Sequence, residues 1–317
     1  MTIYNSILDV PNIHNINSEL VTLLKVLEEV NPCNQRYEVY RESFMISYRF
    51  RINLLNFLGK VALNINAQII GLPISICEKS YFGNGSDIIR MIQNKKGLKI
   101  VLNADDDLGC KGLTLSTFIF YNNFNTFSEY VDRMRHTYRR RVNKALLHRG
   151  QLLIRELNYT DFTTEHYSLY KSVMTRTDNP LEILDIEFFR RYNSRIYEFL
   201  DKKTNRLLGF IQLKEIEDTL YFMFCGFNKE DNEPYDLYYN MLLKIIEEGI
   251  EKGVKKINFG QTSEETKLKI GCKMEPRYLG IYHSNRLLNY ILQLLLPMFS
   301  YKPYKVVHNV FKEVVLK

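Results

Sequence analysis

Ile257-Asn258-Phe259-Gly260-Gln261-Thr262-Ser263-Glu264-Glu265-Thr266-Lys267-Leu268-Lys269-Ile270-Gly271 is the stretch whose reading decides the fold. Its first three residues read as the end of a short buried strand that stops on Gly260. A polar loop follows, and Lys267 stands four residues before a second glycine, Gly271. Upstream, Leu207 to Gly226 reads as a β-hairpin turning through Glu217-Asp218, and Tyr235 to Gly253 reads as a long amphipathic helix. Hairpin, helix, buried strand and lysine-bearing turn follow one another in that order.

The remaining segments extend this α/β pattern over the whole chain. Ser18 to Val30 reads as a Ser-capped helix. Glu42 to Leu55 and Lys60 to Ile74, rich in Ile, Val, Phe and Tyr, read as two strands joined near Gly59. Ser86 to Gln93 is a short helix stopped at Gly97, and Leu98 to Leu102 and Leu113 to Tyr121 are further strands. Strand Gln151 to Leu157, helices over Glu165 to Met174 and Ile186 to Asp201, strand Arg277 to His283, and helices near Leu287 and Tyr304 complete the reading. A chain of 317 residues is long for one domain. Both halves run strands, helix, strand, so two domains, 1–150 and 151–317, are expected.

Composition removes several classes of function. Five scattered cysteines (Cys33, Cys77, Cys110, Cys225, Cys272) form no CxxC or Cys/His cluster, which argues against a disulfide framework or zinc and for a reducing cytoplasm. None of the six histidines lies in a metal-ligand pattern, and no nucleophile elbow, Walker A loop or GxGxxG is present. The N-terminus has no cationic start followed by an apolar run, so no signal peptide is expected. Leu287 to Phe299, the longest apolar segment, is broken by Asn289, Gln293 and Pro297 and is too short to span a bilayer. It reads as a C-terminal helix packed on the core or, alternatively, as peripheral membrane contact.

The net charge of +7 is unevenly placed. Residues 1–150 carry 19 Lys and Arg against 13 Asp and Glu, whereas the rest carries 24 against 23. Arg133 to Arg149 holds seven basic residues and no acid. Phe127, Tyr130, Val131, Met134, Tyr138, Val142, Ala145 and Leu146 recur at helical spacing, which predicts one helix from about Phe127 to His148. Like charges along a helix repel. The segment is therefore either a solvated basic face or a seat for phosphates, which Arg139, Arg140 and Lys144 would bind. A single basic helix without aromatic interleaving does not point to DNA.

Three of these motifs resemble the Fem-type peptidyltransferases and their GNAT-like relatives. Tyr138-Arg139-Arg140-Arg141-Val142-Asn143-Lys144-Ala145 is similar to the R-x-x-x-K-A helix that closes their first domain. Phe224-Cys225-Gly226-Phe227 with Leu237-Tyr238-Tyr239 resembles their donor-holding strand, loop and helix. Gly260-Gln261 through Lys267 and Gly271 resembles the K-x-x-(F)G turn whose lysine neutralises an oxyanion. The resemblance implies two tandem GNAT-like domains of the α/β (α+β) class, with mixed central sheets flanked by helices. It also implies an N-acyltransferase forming an amide or peptide bond between an activated acyl or aminoacyl donor and an amine-bearing acceptor, a small molecule or a cell-wall or peptide-like amine. On this reading Lys267 stabilises the oxyanion, Glu265 orients it or binds the acceptor amine, and Gln261 and Tyr239 contact substrate.

One stretch departs from the acetyl-CoA-dependent pattern. Asn228-Lys229-Glu230-Asp231-Asn232-Glu233-Pro234-Tyr235 stands where a glycine-rich pyrophosphate turn is expected, and it holds three carboxylates and no glycine. No tightly bound cofactor is expected. The acyl donor is a co-substrate, carried by aminoacyl-tRNA, an acyl-carrier protein or CoA, with the first two favoured. The competing expectation is a non-catalytic protein that binds a phosphate-bearing nucleotide- or lipid-linked ligand.

Overall fold

The computed structural model describes residues 1–11, 16–53, 64–176 and 183–312. In chain order it opens with β1 (Thr2–Tyr4), α1 (Ser18–Val30), β2 (Arg36–Tyr40), β3 (Ser43–Asn53), β4 (Asn64–Ile70), β5 (Tyr81–Phe82), α2 (Gly85–Asn94), β6 (Leu98–Ala104) and β7 (Gly112–Leu113). The central part holds β8 (Thr117–Tyr121), α3 (Phe127–Arg133), α4 (His136–Arg149), β9 (Leu152–Leu157), α5 (Thr164–Met174), α6 (Ile186–Arg191), β10 (Arg195–Asp201), β11 (Leu207–Ile216), β12 (Thr219–Phe227), α7 (Lys229–Tyr235), α8 (Leu237–Glu251), β13 (Lys256–Asn258), α9 (Glu264–Lys269) and β14 (Lys273–Glu275). Strand β15 (Tyr278–His283) and helix α10 (Arg286–Phe299) follow.

The chain forms two compact units, Met1–Ser116 with Pro276–Pro303, and Thr117–Glu275 with Tyr304–Lys317. The first is built on a mixed sheet in the order β1-β2-β3-β4-β6-β15-β7, with β5 paired to β3. The second is built on a mixed sheet in the order β14-β8-β13-β12-β11-β10-β9. The α/β class with two mixed sheets flanked by helices is therefore as expected. The division falls at Ser116/Thr117 instead of near residue 150, because β8 pairs with β13 and β14 and draws α3 and α4 into the second unit. Strand β15 returns to the first sheet, antiparallel to β6.

Local physics accounts for the other departures. The stretch Leu113 to Tyr121, expected as one strand, is two, β7 and β8, in different sheets. The basic helix breaks at Met134 and Arg135, whose ψ values of 146° and 150° are extended. There Met134 is buried and bridges to Phe311, and the Arg135 amide donates to the Val310 carbonyl. That pairing also replaces the helix expected near Tyr304 with an irregular segment. Ile186 to Asp201 is helical only to Arg191. Arg195–Asp201 instead fills the gap between β9 and β11, where five consecutive buried residues suit an inner strand. The long helix expected from Tyr235 is interrupted at Asp236, which sits in the left-handed region at φ 47°. The loop after Gly260 contains a helix, α9. The turn expected at Gly59 lies outside the described residues.

The core of the second unit is apolar and heavily aromatic. Eleven residues of α8 are buried, including Leu237, Met241, Leu242, Ile245 and Ile246, in contact with β11, β12 and β13. Helix α5 lies on β12 so closely that a Cβ at Gly226 would stand 2.6 Å from the Tyr170 amide nitrogen and 2.7 Å from the Leu169 carbonyl carbon. Both are backbone atoms and cannot swing aside. Gly226→Ala is expected to destabilise the unit by about 1–3 kcal/mol, the usual cost of overpacking. A urea midpoint equal to that of the wild type would show that α5 yields freely.

Candidate active site

The site begins where two parallel strands part. Strand β13 pairs with β12 only through Thr219, Leu220 and Tyr221, opposite Lys256, Ile257 and Asn258. Beyond Tyr221, β12 runs on to Phe227 while the β13 chain turns away through Gly260. The pairing of β11 with β12 shifts register between Gln212 and Leu213, which leaves Met223 as an extra residue on β12. Such a bulge bends a strand and re-aims its side chains. It falls two residues after the last β12–β13 pair.

The loop leaving β13 is tightly held. The Asn258 carboxamide oxygen accepts from the Gly260 amide at 2.8 Å, and the Gly260 carbonyl accepts from the Phe118 amide at 3.1 Å. Gly260, Thr262 and Ser263 all have positive φ, at 67°, 64° and 51°. For a β-branched residue such as Thr262 that is a strained conformation, and strain of this kind gathers at functional sites. Helix α9 then starts, and Gly271 ends the excursion at φ 99°, where a Cβ would meet the Phe311 ring at 2.5 Å.

Lys267 points inward from α9 and is only 2% exposed. Its ammonium donates to the Gln261 backbone carbonyl and lies 5.7 Å from the centre of the Phe118 ring. Burial pushes the Cys225 thiol up to about 12, against the opposing pull of Lys267 and Arg176. Burial also raises the Tyr238 hydroxyl, which is partly offset by a hydrogen bond with Ser263. Glu265 does not reach Lys267. It is exposed and pairs with Lys269 at 2.6 Å, and that hydrogen bond holds its carboxyl below the ordinary range. Gln261 meets Lys267 through its main chain.

The outer side of α9 forms one wall of a cleft of about 620 Å3. Thr266 and Lys269 line it from α9, Tyr239 from α8, and Tyr138, Arg140, Arg141 and Lys144 from α4. Arg140, Lys144 and Tyr239, expected to bind substrate, are thus brought together, whereas Arg139 is not among the lining residues. Among the described residues Arg140 and Lys144 make no ion pair. Tyr239 is 6% exposed, burial raises its hydroxyl to about 12, and the hydroxyl has no hydrogen-bond partner among the described residues.

Sequence reasoning missed Arg141 and Asp236. The Arg141 guanidinium lies over the Tyr239 ring, 4.2 Å from its centre, and donates to Asp236 at 2.6 Å. His148 faces the other Asp236 oxygen at 3.1 Å. Asn240 ties the helices together by donating to the Ala145 and Tyr235 carbonyls, each at 2.9 Å. Arg141 stood in the basic run as one cation among seven. Asp236 is marked only by its backbone angle, which composition does not reveal. At the start of α8 the Tyr238 amide is capped by the Asn232 side chain at 2.9 Å, so that donor is already spent within the chain.

No family model and no curated protein matches this sequence. Solved structures do match in fold. The chain superposes on the C-terminal DUF2156 domain of a protein assigned as a lysylphosphatidylglycerol synthetase from Agrobacterium fabrum, with TM-score 0.54 and 10% identity, over 88% of this chain and 93% of that one. It superposes on L-PGS from Bacillus licheniformis with TM-score 0.53 and 13% identity, over 88% and 96%. FemX gives TM-score 0.52 and 11% identity, over 83% and 90%.

If the cleft seats phosphates, the R140A/K144A double variant should bind inorganic tripolyphosphate about 10- to 100-fold more weakly at low salt. That corresponds to about 1–3 kcal/mol for lost charge-assisted hydrogen bonds. Wild-type binding should itself fall steeply as salt rises. Isothermal titration that finds equal affinity for both proteins would reduce the basic helix to a solvated face. The chain shares the tandem GNAT-like fold of these structures.

Proposed function

We propose that the protein is an N-acyltransferase that moves an acyl or aminoacyl group from an activated donor to an amine. The observation that carries this reading is the cleft itself. Arg140, Arg141, Lys144 and Lys269 converge there around a buried tyrosine, and the same short helix that walls the cleft carries Lys267 on its inner side. The phosphate-bearing end of the donor binds the cations beside the Tyr239 ring. The three carboxylates and missing glycine of Asn228–Tyr235, where a pyrophosphate turn would stand, favour a donor carried by tRNA or a carrier protein over one gripped by its pyrophosphate.

The reaction needs little protein chemistry. The amine nitrogen attacks the ester or thioester carbonyl, and the carbonyl oxygen takes up negative charge. The attack forms the C–N bond; collapse then re-forms the C=O bond and breaks the C–O or C–S bond, and the leaving group takes the proton lost by the nitrogen. In this reading Lys267 stabilises the oxyanion. A fixed ammonium in a site of low dielectric favours that charge over the neutral ground state. The strained Gly260–Ser263 loop positions it by holding the Gln261 carbonyl, and Glu265 acts only indirectly, through Lys269. A small molecule or a cell-wall or peptide-like amine is the acceptor class, as amide formation requires a nucleophilic nitrogen.

The second reading is binding without turnover, and the ammonium of Lys267 bonded to a main-chain carbonyl favours it. Native mass spectrometry of the purified protein separates tRNA, carrier protein and CoA as co-purifying donors. Transfer is then followed with the donor so identified. Lys267→Met is expected to lower turnover by about 10²–10³, the usual effect of losing one oxyanion donor, with donor affinity nearly unchanged. Turnover close to wild type would remove Lys267 from the chemistry, and an absence of transfer by the wild-type protein would leave the binding reading standing.

A further inference from the structure

Helix α10 presents its apolar side outward and its polar side to its own sheet. Asn289 accepts from the His283 amide at 2.9 Å, and Gln293 donates to the Ile281 carbonyl at 2.6 Å. Leu296, on the same side, is buried beside Leu279 and Ile281. The opposite side carries Leu287, Tyr290, Ile291, Leu294 and Met298, spaced by three, one, three and four residues as one stripe. Leu287 is 67% exposed, Tyr290 63%, Leu294 62% and Met298 78%. A helix facing water has the reverse arrangement. An apolar stripe of this length marks an interaction surface.

The charges around the stripe indicate what covers it. Arg286 at the start of α10 and Lys302 just beyond its end are exposed, and Pro276–Pro303 contains no Asp or Glu. A second copy laid on this face by a two-fold axis would bring cation against cation, with no acid in the segment to compensate. An anionic lipid surface has apolar depth for the stripe and phosphates for both ends. At 14 residues the helix is about 21 Å long, short of the roughly 30 Å of a bilayer core. No described helix is long and apolar enough to cross a membrane. We infer that α10 is a peripheral membrane-docking helix. Its Leu287–Met298 stripe lies at the boundary between headgroups and acyl chains, and Arg286 and Lys302 rest on lipid phosphates. This surface stands on α10 alone and does not depend on the transfer reaction.

The experiment is flotation of the full chain with vesicles of phosphatidylcholine alone and of phosphatidylcholine with phosphatidylglycerol in equal parts. Wild type should float with the anionic vesicles and far less with the neutral ones. The L294E/M298E variant, changed only at exposed positions, should bind at least about ten-fold more weakly while keeping its circular dichroism spectrum and tripolyphosphate affinity. The chain has no Trp, so an M298W variant gives a single reporter whose emission should shift to the blue on adding anionic vesicles. Failure of wild type to bind anionic vesicles, equal binding by L294E/M298E, or an unshifted M298W emission overturns the inference. So does a wild-type dimer in solution that L294E/M298E converts to a monomer without any vesicle binding, which would assign the stripe to self-association.

Discussion

The parting of β12 from β13 after Tyr221 and Asn258 is the constraint from which the second unit's site follows. Two parallel strands that stayed paired would satisfy each other's main chain and leave no room between them. Here β13 stops after three pairs, and the extra residue at Met223 bends β12 at nearly the same level. The main-chain groups released by the separation must find other partners, because buried polar groups left unpaired are costly. On its other side the β13 chain keeps its ladder with β8, Phe118 donating to the Gly260 carbonyl and accepting from the Phe259 amide. In the loop itself side chains serve, Asn258 on the Gly260 amide and Lys267 on the Gln261 carbonyl. The lysine is therefore structurally tied to the same opening it would serve chemically.

That tie makes one short helix matter more to the second unit than its length suggests. Helix α9 spans only Glu264–Lys269, yet it separates an inner face with Lys267 from an outer face with Thr266 and Lys269 on the cationic cleft. Two left-handed residues, Thr262 and Ser263, set its entry angle, and the crowded Gly271 sets its exit. The returning C-terminal segment completes the enclosure. Phe311 packs on Phe124 and Tyr130 at ring separations of 5.2 and 5.9 Å, and His308 meets the Tyr138 hydroxyl at 3.1 Å.

How much of this was legible in the sequence depended on whether a feature was local. The hairpin over Leu207 to Cys225 and its turn at Glu217-Asp218 were readable because strand alternation and turn residues act over a few positions. The helical character of Leu237 to Glu251 was readable for the same reason. Helix-to-strand errors arose where tertiary pairing overrides local preference. Arg195–Asp201 was expected as helix, but its five consecutive buried residues serve an inner strand between β9 and β11. The break at Met134 depends on Phe311, far away in the chain. In the site, the cations of α4 could be named from the basic run, and Tyr239 from the resemblance carried by Leu237-Tyr238-Tyr239. Asp236 could not, since its part rests on a backbone angle and on Arg141 arriving from another helix. Nor could the partner of Glu265, because an i,i+4 pair with Lys269 and a bond to Lys267 look alike until the helix exists.

The counter-ions along the basic segment show which of its charges are met within the chain. Arg133 pairs with Glu129 at 3.5 Å, Arg141 with Asp236 at 2.6 Å, and Arg149 with Glu247 at 2.5 Å. Each is partly exposed and worth at most about 1 kcal/mol, so these pairs do not build the fold. Four further cations of the segment pair with no carboxylate among the described residues: Arg135 and Arg139 away from the cleft, and Arg140 and Lys144 on it. On the far wall, Lys269 pairs with the exposed Glu265. Positive charge unmet within the chain is therefore not confined to the cleft. What sets the cleft apart is the buried Tyr239 beside Arg140 and Lys144, which puts an apolar floor under a local positive potential.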